Sequence, residues 1–250
     1  MELTWELALA FFVLATVAGT LDTMAGGGGL ITVPGQIFLG VPPVVSIVNN
    51  KCSAFAGTCM ASWRLYQKGL LVWRDVRASV ALAFIGSLFG ALALKGLDPA
   101  WVSAGIPWVL MGIAVYFAVS SRLNLPRAQL PSVVSVLAIG LVGAYDGFFG
   151  PGTGSLMLAA LMLTTQYSIT RCTVQVKACN AASNCAALLI FAPSALVIWP
   201  VALVMLAGQT LGGFIGARWV ELHAERVARP LVVVVSLIMA GRLLYGQISP

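Results

Sequence analysis

The sequence predicts an all-α, polytopic membrane protein, a single membrane domain over residues 1–250. It is expected to contain two inverted structural repeats, 1–124 and 125–250, each a glycine-broken helical hairpin followed by three transmembrane helices. Three observations carry this expectation. The composition is extremely apolar, two glycine-rich breaks each adjoin a half-length apolar piece, and an internal repeat sets buried charges at matching positions.

Of 250 residues, 60% are apolar and 9% are Asp, Glu, Lys or Arg, with a mean hydropathy of +0.96. Soluble domains carry about 25% charged residues, so the composition excludes a soluble globular domain, a disordered chain and a nucleic-acid-binding module. The net charge of +6 does not argue for nucleic acid, because the cations lie in short loops between apolar runs. In lipid only helices and closed barrels satisfy their own backbone, and long apolar runs without alternation exclude the barrel. Met1–Glu6 has no positive stretch, so no cleaved leader is expected. The cysteines (Cys52, Cys59, Cys172, Cys179, Cys185) form no C-x-x-C pair, and His223 is the sole histidine. They are expected to pack as small apolar groups, with no disulfide framework, metal site or cofactor.

Runs near the ~20 residues that span a bilayer occur at Trp5–Met24, Pro43–Leu65, Val76–Leu94, Trp101–Ser120, Pro131–Phe149, Thr170–Phe191, Val197–Val220 and Leu231–Gly246. Leu30–Gly40 and Ser155–Thr165 are shorter, roughly 16 Å of helix, or half a bilayer. Each follows a break, Ala25–Gly29 in one case and Gly150–Gly154, which includes Pro151, in the other. Glycine costs about 1 kcal/mol and proline about 3 in a helix interior, so both stretches are expected to be non-helical backbone near membrane depth. Gly86-x-x-x-Gly90 and Gly208-x-x-x-Gly212-x-x-x-Gly216 read as sites of close helix approach. Trp63, Trp73, Trp101 and Trp199 read as interface anchors, and Glu221–Arg229 as a solvated loop.

The repeat runs at a constant offset of 126, pairing Gly26, Gly28, Leu30, Lys51, Cys59 and Trp73 with Gly152, Gly154, Leu156, Lys177, Cys185 and Trp199. Asp22 and Asp146 pair at 124. If the ten pieces reduce to eight simple crossings, alternate sides carry seven and five Lys or Arg, which is no bias. If Trp5–Gly40 and Pro131–Thr165 each enter and leave on one side, the halves become inverted. One side then collects Arg64, Lys68, Arg74, Arg77, Arg122, Arg127, Arg171, Arg218, Arg226 and Arg229, and the other keeps only Lys95 and Arg242. That bias follows the positive-inside rule and puts both termini outside.

Asp22, Lys51, Asp146 and Lys177 are the charges lying well inside apolar segments. Each costs at least ~2.5–3.5 kcal/mol at the bilayer centre and marks a pathway or needs a partner. The structural reading pairs Asp22 with Lys51 and Asp146 with Lys177, closing each hairpin onto the next helix. The functional reading is an anion site. Glycine runs entering a helix present N–H groups and a positive dipole end, here at Gly27, Gly28 and Gly29 and at Gly152, Thr153 and Gly154, with Ser155 adding a hydroxyl. Lys51 and Lys177 add charge, and Asn50 and Asn180 add amides, while Asn184 serves equally well as interhelical glue. Paired breaks of this kind mark midplane sites in inverted-repeat transporters. No nucleophile–base constellation lies inside the membrane, so an enzyme is not expected.

The stretch Asp22–Pro34, the Asn50-Lys51 pair and Gly147–Gly154 together resemble the TauE/SafE-type sulfite and organosulfonate exporters. The resemblance spans essentially the whole chain. It implies a secondary permease for small sulfur-containing anions such as sulfite or sulfoacetate in the bacterial inner membrane. It carries motif positions onto Asp22, Gly26 to Gly29, Asn50, Lys51, Gly150, Gly152, Gly154 and Lys177. Val176 stands where the first half has Asn50, so the half-sites are not equivalent. Burial disfavours a charged carboxylate, which makes Asp22 and Asp146 candidates for proton coupling. A passive anion channel and a Na⁺- or H⁺-binding carrier remain the alternatives. The expected partners are a small anion and the lipid bilayer, with no nucleic acid; a homodimer is left open.

Overall fold

A computed structural model describes residues 2–120 and 129–219. The sequence readings that fall on Arg122, Arg127, His223, the Glu221–Arg229 loop, Leu231–Gly246 and Arg242 lie outside the described residues. Those described form helices and no strand: α1 (Trp5–Ala25), α2 (Gly29–Phe38), α3 (Pro43–Gln67), α4 (Trp73–Gly96), α5 (Pro99–Ser120), α6 (Ser132–Phe148), α7 (Thr153–Thr164), α8 (Ile169–Phe191) and α9 (Trp199–Trp219). Four are long and apolar enough to cross a membrane: Trp5–Met24, Trp73–Gly96, Ile169–Phe191 and Trp199–Trp219. Helix α3 has the length, but Asn49, Asn50 and Lys51 lie along it, and all three are buried in the bundle.

Polarity is distributed opposite to a soluble fold. Lys51 and Lys177 are among the largest fully buried side chains, whereas Leu141 is 75% exposed and Phe89 67%. Trp5, Leu9, Val13 and Val17 recur every four residues as one exposed apolar stripe on α1. An apolar shell around a polar centre is what hydrocarbon solvent requires.

The half-length helices form as their breaks dictate. Helix α1 ends in a left-handed cap at Gly26 (φ 76°), whose N–H donates to the Asp22 carbonyl at 2.7 Å, a conformation glycine adopts without a Cβ penalty. Gly150 and Gly152 also have positive φ, at 95° and 82°. Both following helices start earlier than expected. Gly29, Thr153 and Gly154 are already helical, because carbonyls inside the breaks accept the first bonds, from Leu30 N–H to Gly27 and from Thr153 N–H to Gly150.

Two ends can be distinguished. At one, Lys68 donates to the Ala217 carbonyl at 3.3 Å, Arg64 and Arg218 both lie over the Phe214 ring, and Arg171 pairs with Asp75 at 2.7 Å. Here also Leu130 N–H, just before α6, donates to the Thr164 carbonyl that ends α7. At the other, Leu3, Leu7, Leu39 and Val41 pack with Ile198, Val201 and Met205. The α1–α2 unit therefore opens at one end and the α6–α7 unit at the opposite, basic end. Helix α9 packs on α1 and α3, and α4 packs on α6 and α8.

These contacts are backbone-close. A Cβ on Gly86 or Gly90 would meet the Gly140 or Ala144 carbonyl of α6, and one on Gly212 would meet the Thr16 carbonyl of α1. Both glycine stripes are scaffold, as their spacing predicts. Gly90→Val is expected to cost about 3 kcal/mol or more by overpacking against backbone that cannot yield. Gly96, with nothing within 4 Å, is expected to accept alanine within about 0.5 kcal/mol. Thermal unfolding of the two variants in detergent checks the pair.

Candidate functional site

The site lies where the two breaks touch. A Cβ on Gly26 would sit 2.5 Å from the Gly154 carbonyl carbon, and one on Gly29 would sit 2.9 Å from Pro151 Cα. Ser155 N–H donates to the Gly26 carbonyl across the junction at 3.2 Å. Only glycines at these positions let the two strands of backbone approach so closely.

The buried charges pair across the halves, which corrects the local pairing expected from the sequence. Lys51 bonds Asp146 at 2.5 Å rather than Asp22, and Lys177 bonds Asp22 at 3.0 Å rather than Asp146. The physical reason is the abutting of the breaks. Asp22 lies in the last turn of α1 and Asp146 in the last turns of α6, so each carboxylate comes to face the opposite long polar helix. Lys177 also donates to the main-chain carbonyl of Asp22, in the last turn of α1, where the negative end of the helix dipole favours a cation. Gly150 makes way for the other pair, since a Cβ there would collide with Lys51 Nζ.

The two carboxylates differ in support. Asp146 accepts from Lys51, from the Thr153 hydroxyl at 2.8 Å and from the Ser183 hydroxyl, and its side chain is 3% exposed. Asp22 accepts from Lys177 and from Gly28 N–H at 3.0 Å, and its side chain is 16% exposed. At the repeat offset Thr153 and Ser183 match Gly27 and Gly57, so the second half adds two hydroxyls that the first half lacks.

Between the halves is a cavity of about 20 Å³, room for roughly one water molecule. Asp22, Gly28, Gly29, Asn50, Asp146, Gly152, Thr153, Gly154 and Asn180 line it, so most of the residues singled out by sequence converge there. Gly27, Ser155, Lys51 and Lys177 are not on its wall; both ammonium groups sit behind the carboxylates they bond. Asn50 Oδ1 accepts from the Thr32 hydroxyl, and Asn180 Oδ1 accepts from Asn184 Nδ2 at 2.6 Å.

Sequence reasoning missed Ala54, Thr58 and Gln209 on this wall and left Asn184 undecided. Thr58 was detectable, because it is the repeat partner of Asn184 and falls two turns beyond Asn50 on α3. Gln209 lies inside the α9 glycine stripe. Its side chain fits a slot left by Gly19 and Gly57, where Cβ atoms would come to 2.6 and 3.0 Å of Oε1.

Crossed pairing makes a specific prediction. Removing one partner of a buried pair costs about 3–5 kcal/mol, so Lys51→Gln and Asp146→Asn should each destabilise the protein. The Lys51/Asp146 and Lys177/Asp22 cycles should show coupling of about 1–3 kcal/mol, with much less for Lys51/Asp22. Thermal unfolding of the singles and doubles in detergent measures these terms.

The comparisons with known proteins agree with this architecture. The Sulfite exporter TauE/SafE family profile matches residues 11–243. A probable membrane transporter protein of Haemophilus influenzae is 33% identical over 250 residues, covering 99% of this chain and 98% of its own length. The probable membrane transporter protein YfcA of Escherichia coli is 34% identical over 244 residues, covering 96% and 90%. A probable membrane transporter protein, ORF9, of a Sinorhizobium species is 31% identical, covering 100% and 97%. No solved structure matches. A match over nearly the whole chain, an apolar-shelled helical bundle and full-length relatives lead to one assignment: this chain belongs to the TauE/SafE sulfite exporter family of membrane transporters.

Proposed function

We propose that the protein is a secondary transporter that moves a small sulfur-containing oxyanion, sulfite, sulfoacetate or a related organosulfonate, across the bacterial inner membrane. The observation that carries this reading is the convergence of two half-length helix N-termini on one cavity between the halves. Gly29 and Gly154, in the first turns of α2 and α7, both line it. Helix N-termini present N–H donors and positive potential to an anion, and the Asn50 and Asn180 amides add neutral donors.

In this reading residues 1–124 and 125–250 are inverted repeats. Support comes from hairpins that open at opposite ends and from matched neighbours, α9 on α1 as α4 on α6. Arg64, Lys68, Arg74, Arg77, Arg171 and Arg218 make the basic end cytoplasmic by the positive-inside rule, which puts both termini in the periplasm.

The crossed pairs supply a coupling mechanism. The two aspartates and two lysines neutralise one another, so an anion that engages an ammonium group must first weaken its bond to a carboxylate. A proton on Asp22 or Asp146 does so. Anion on lysine and proton on aspartate therefore favour each other, and linkage makes the effect reciprocal. The cavity holds about one water, so the bound state needs the two first turns to move apart.

One observation favours a second reading. The carboxylates line the cavity while the lysines stand behind them, as a Na⁺-binding carrier would require. Uptake of radiolabelled sulfite into proteoliposomes separates the two. The anion reading expects saturable uptake that falls at least about 100-fold in Lys51→Gln and Lys177→Gln, and a pH dependence flattened in Asp22→Asn or Asp146→Asn. Uptake of Na⁺ but of no sulfur anion, unaffected by either lysine substitution, would establish the cation carrier instead.

A further inference from the structure

A second cavity, of about 350 Å³, lies at the basic end between α4, α6, α7 and α8, within the size range of small-molecule sites. Asp75, Ser79, Ser135, Thr164, Tyr167 and Gln175 are on its wall. Ser135 is 6% exposed, and its buried Oγ has no hydrogen-bond partner. A buried hydroxyl left unpaired is costly, and here it belongs to a residue on the wall of a half-open space large enough for a ligand. Gln175, also on this wall, is 7% exposed.

The repeat sharpens the observation. At offsets of 124 and 126, Ser135, Asp75, Ser79 and Tyr167 correspond to Phe11, Val201, Met205 and Val41. Those four residues form a closed apolar cluster at the opposite end, with Phe11, Val201 and Met205 fully buried. The same space between corresponding helices is thus a polar chamber at one end and a packed plug at the other. Side-chain choice, not helix placement, produces the difference.

We propose that this chamber is an entry site for the transported oxyanion on the cytoplasmic face. The proposal rests on the transport reading above and adds a second, asymmetric binding site to it. Hydroxyl and amide donors hold an oxyanion without a buried unpaired charge. Arg171, bonded to Asp75 on this wall, and Arg74 and Arg77, beside Asp75 on α4, raise the local anion concentration around the mouth. Asp75 is the acidic group on this wall, and it is neutralised by Arg171 at 2.7 Å, which removes the repulsion it would otherwise exert. A cation would meet the reverse field.

The test places a single cysteine at residue 135 (Ser135→Cys) or at residue 11 (Phe11→Cys) in a transport-competent protein whose five native cysteines have been replaced. A membrane-impermeant methanethiosulfonate is applied to vesicles of each orientation. Sulfoacetate is the protecting ligand, because sulfite itself reacts with such reagents. The expected result is modification at 135 from the cytoplasmic face alone, about tenfold or more faster than at 11 from either face, and slowed by sulfoacetate in the range that saturates uptake. Absence of labelling at 135, or labelling that sulfoacetate leaves unchanged while sulfoacetate uptake is normal, overturns the entry site and leaves the transport reading intact. Wild-type proteoliposomes that move no sulfur anion would instead overturn the transport reading itself. As a second variant, Ser135→Phe copies the plug of the opposite end. It is expected to reduce uptake about tenfold or more in folded protein; normal uptake by Ser135→Phe also overturns the proposal.

Discussion

Two buried ion pairs that cross between the halves organise this molecule. A lone lysine or aspartate in hydrocarbon is too costly to keep, so Lys51 requires Asp146 and Lys177 requires Asp22. Each pair takes one member from a hairpin of one half and the other from the long polar helix of its counterpart. The breaks must therefore lie against each other, and Gly26, Gly29 and Gly154 must lack side chains for them to do so. The glycine stripes of α4 and α9 follow from the same demand, because they bring α6 and α1 close enough to hold the hairpins in place.

The pairs also explain why a site for charge can be both buried and responsive. Two lysines matched by two aspartates leave the pairs no net formal charge, and in the proposed transport cycle each pair opens when a proton or an anion takes one partner. The halves are not equal in this respect. Asp146 is held by a lysine and two hydroxyls, whereas Asp22 has Gly28 N–H and Lys177 and is the more exposed of the two. The stiffer pair suits anchoring, and the looser one suits exchange with the cavity.

Much of this was legible in the sequence. Apolar runs located the described helices because their lengths match the bilayer, and the internal offset singled out the four buried charges before any contact was known. The pairing was not legible. Asp22 and Lys51 are neighbours along the chain, and only the contact between breaks brings Asp22 to Lys177. Helix starts were misjudged by a residue or two, because a glycine run reads as unwound until its own carbonyls are seen to accept the first-turn bonds. Gln209 escaped notice because a polar residue in a glycine stripe carries no local sign that Gly19 and Gly57 leave a slot for it. Thr58 did carry a sign, in its correspondence with Asn184.

The central claim is that an anion engages the lysines of these crossed pairs as a proton reaches the aspartates. Calorimetric titration of the purified protein with sulfoacetate, in two buffers of different ionisation enthalpy at neutral pH, tests it most directly, since sulfoacetate is fully ionised there. The account predicts saturable binding with net proton uptake, binding lost in Lys177→Gln, and proton uptake reduced in Asp22→Asn. Binding of equal strength in Lys177→Gln, with no proton taken up by the wild type, would contradict it.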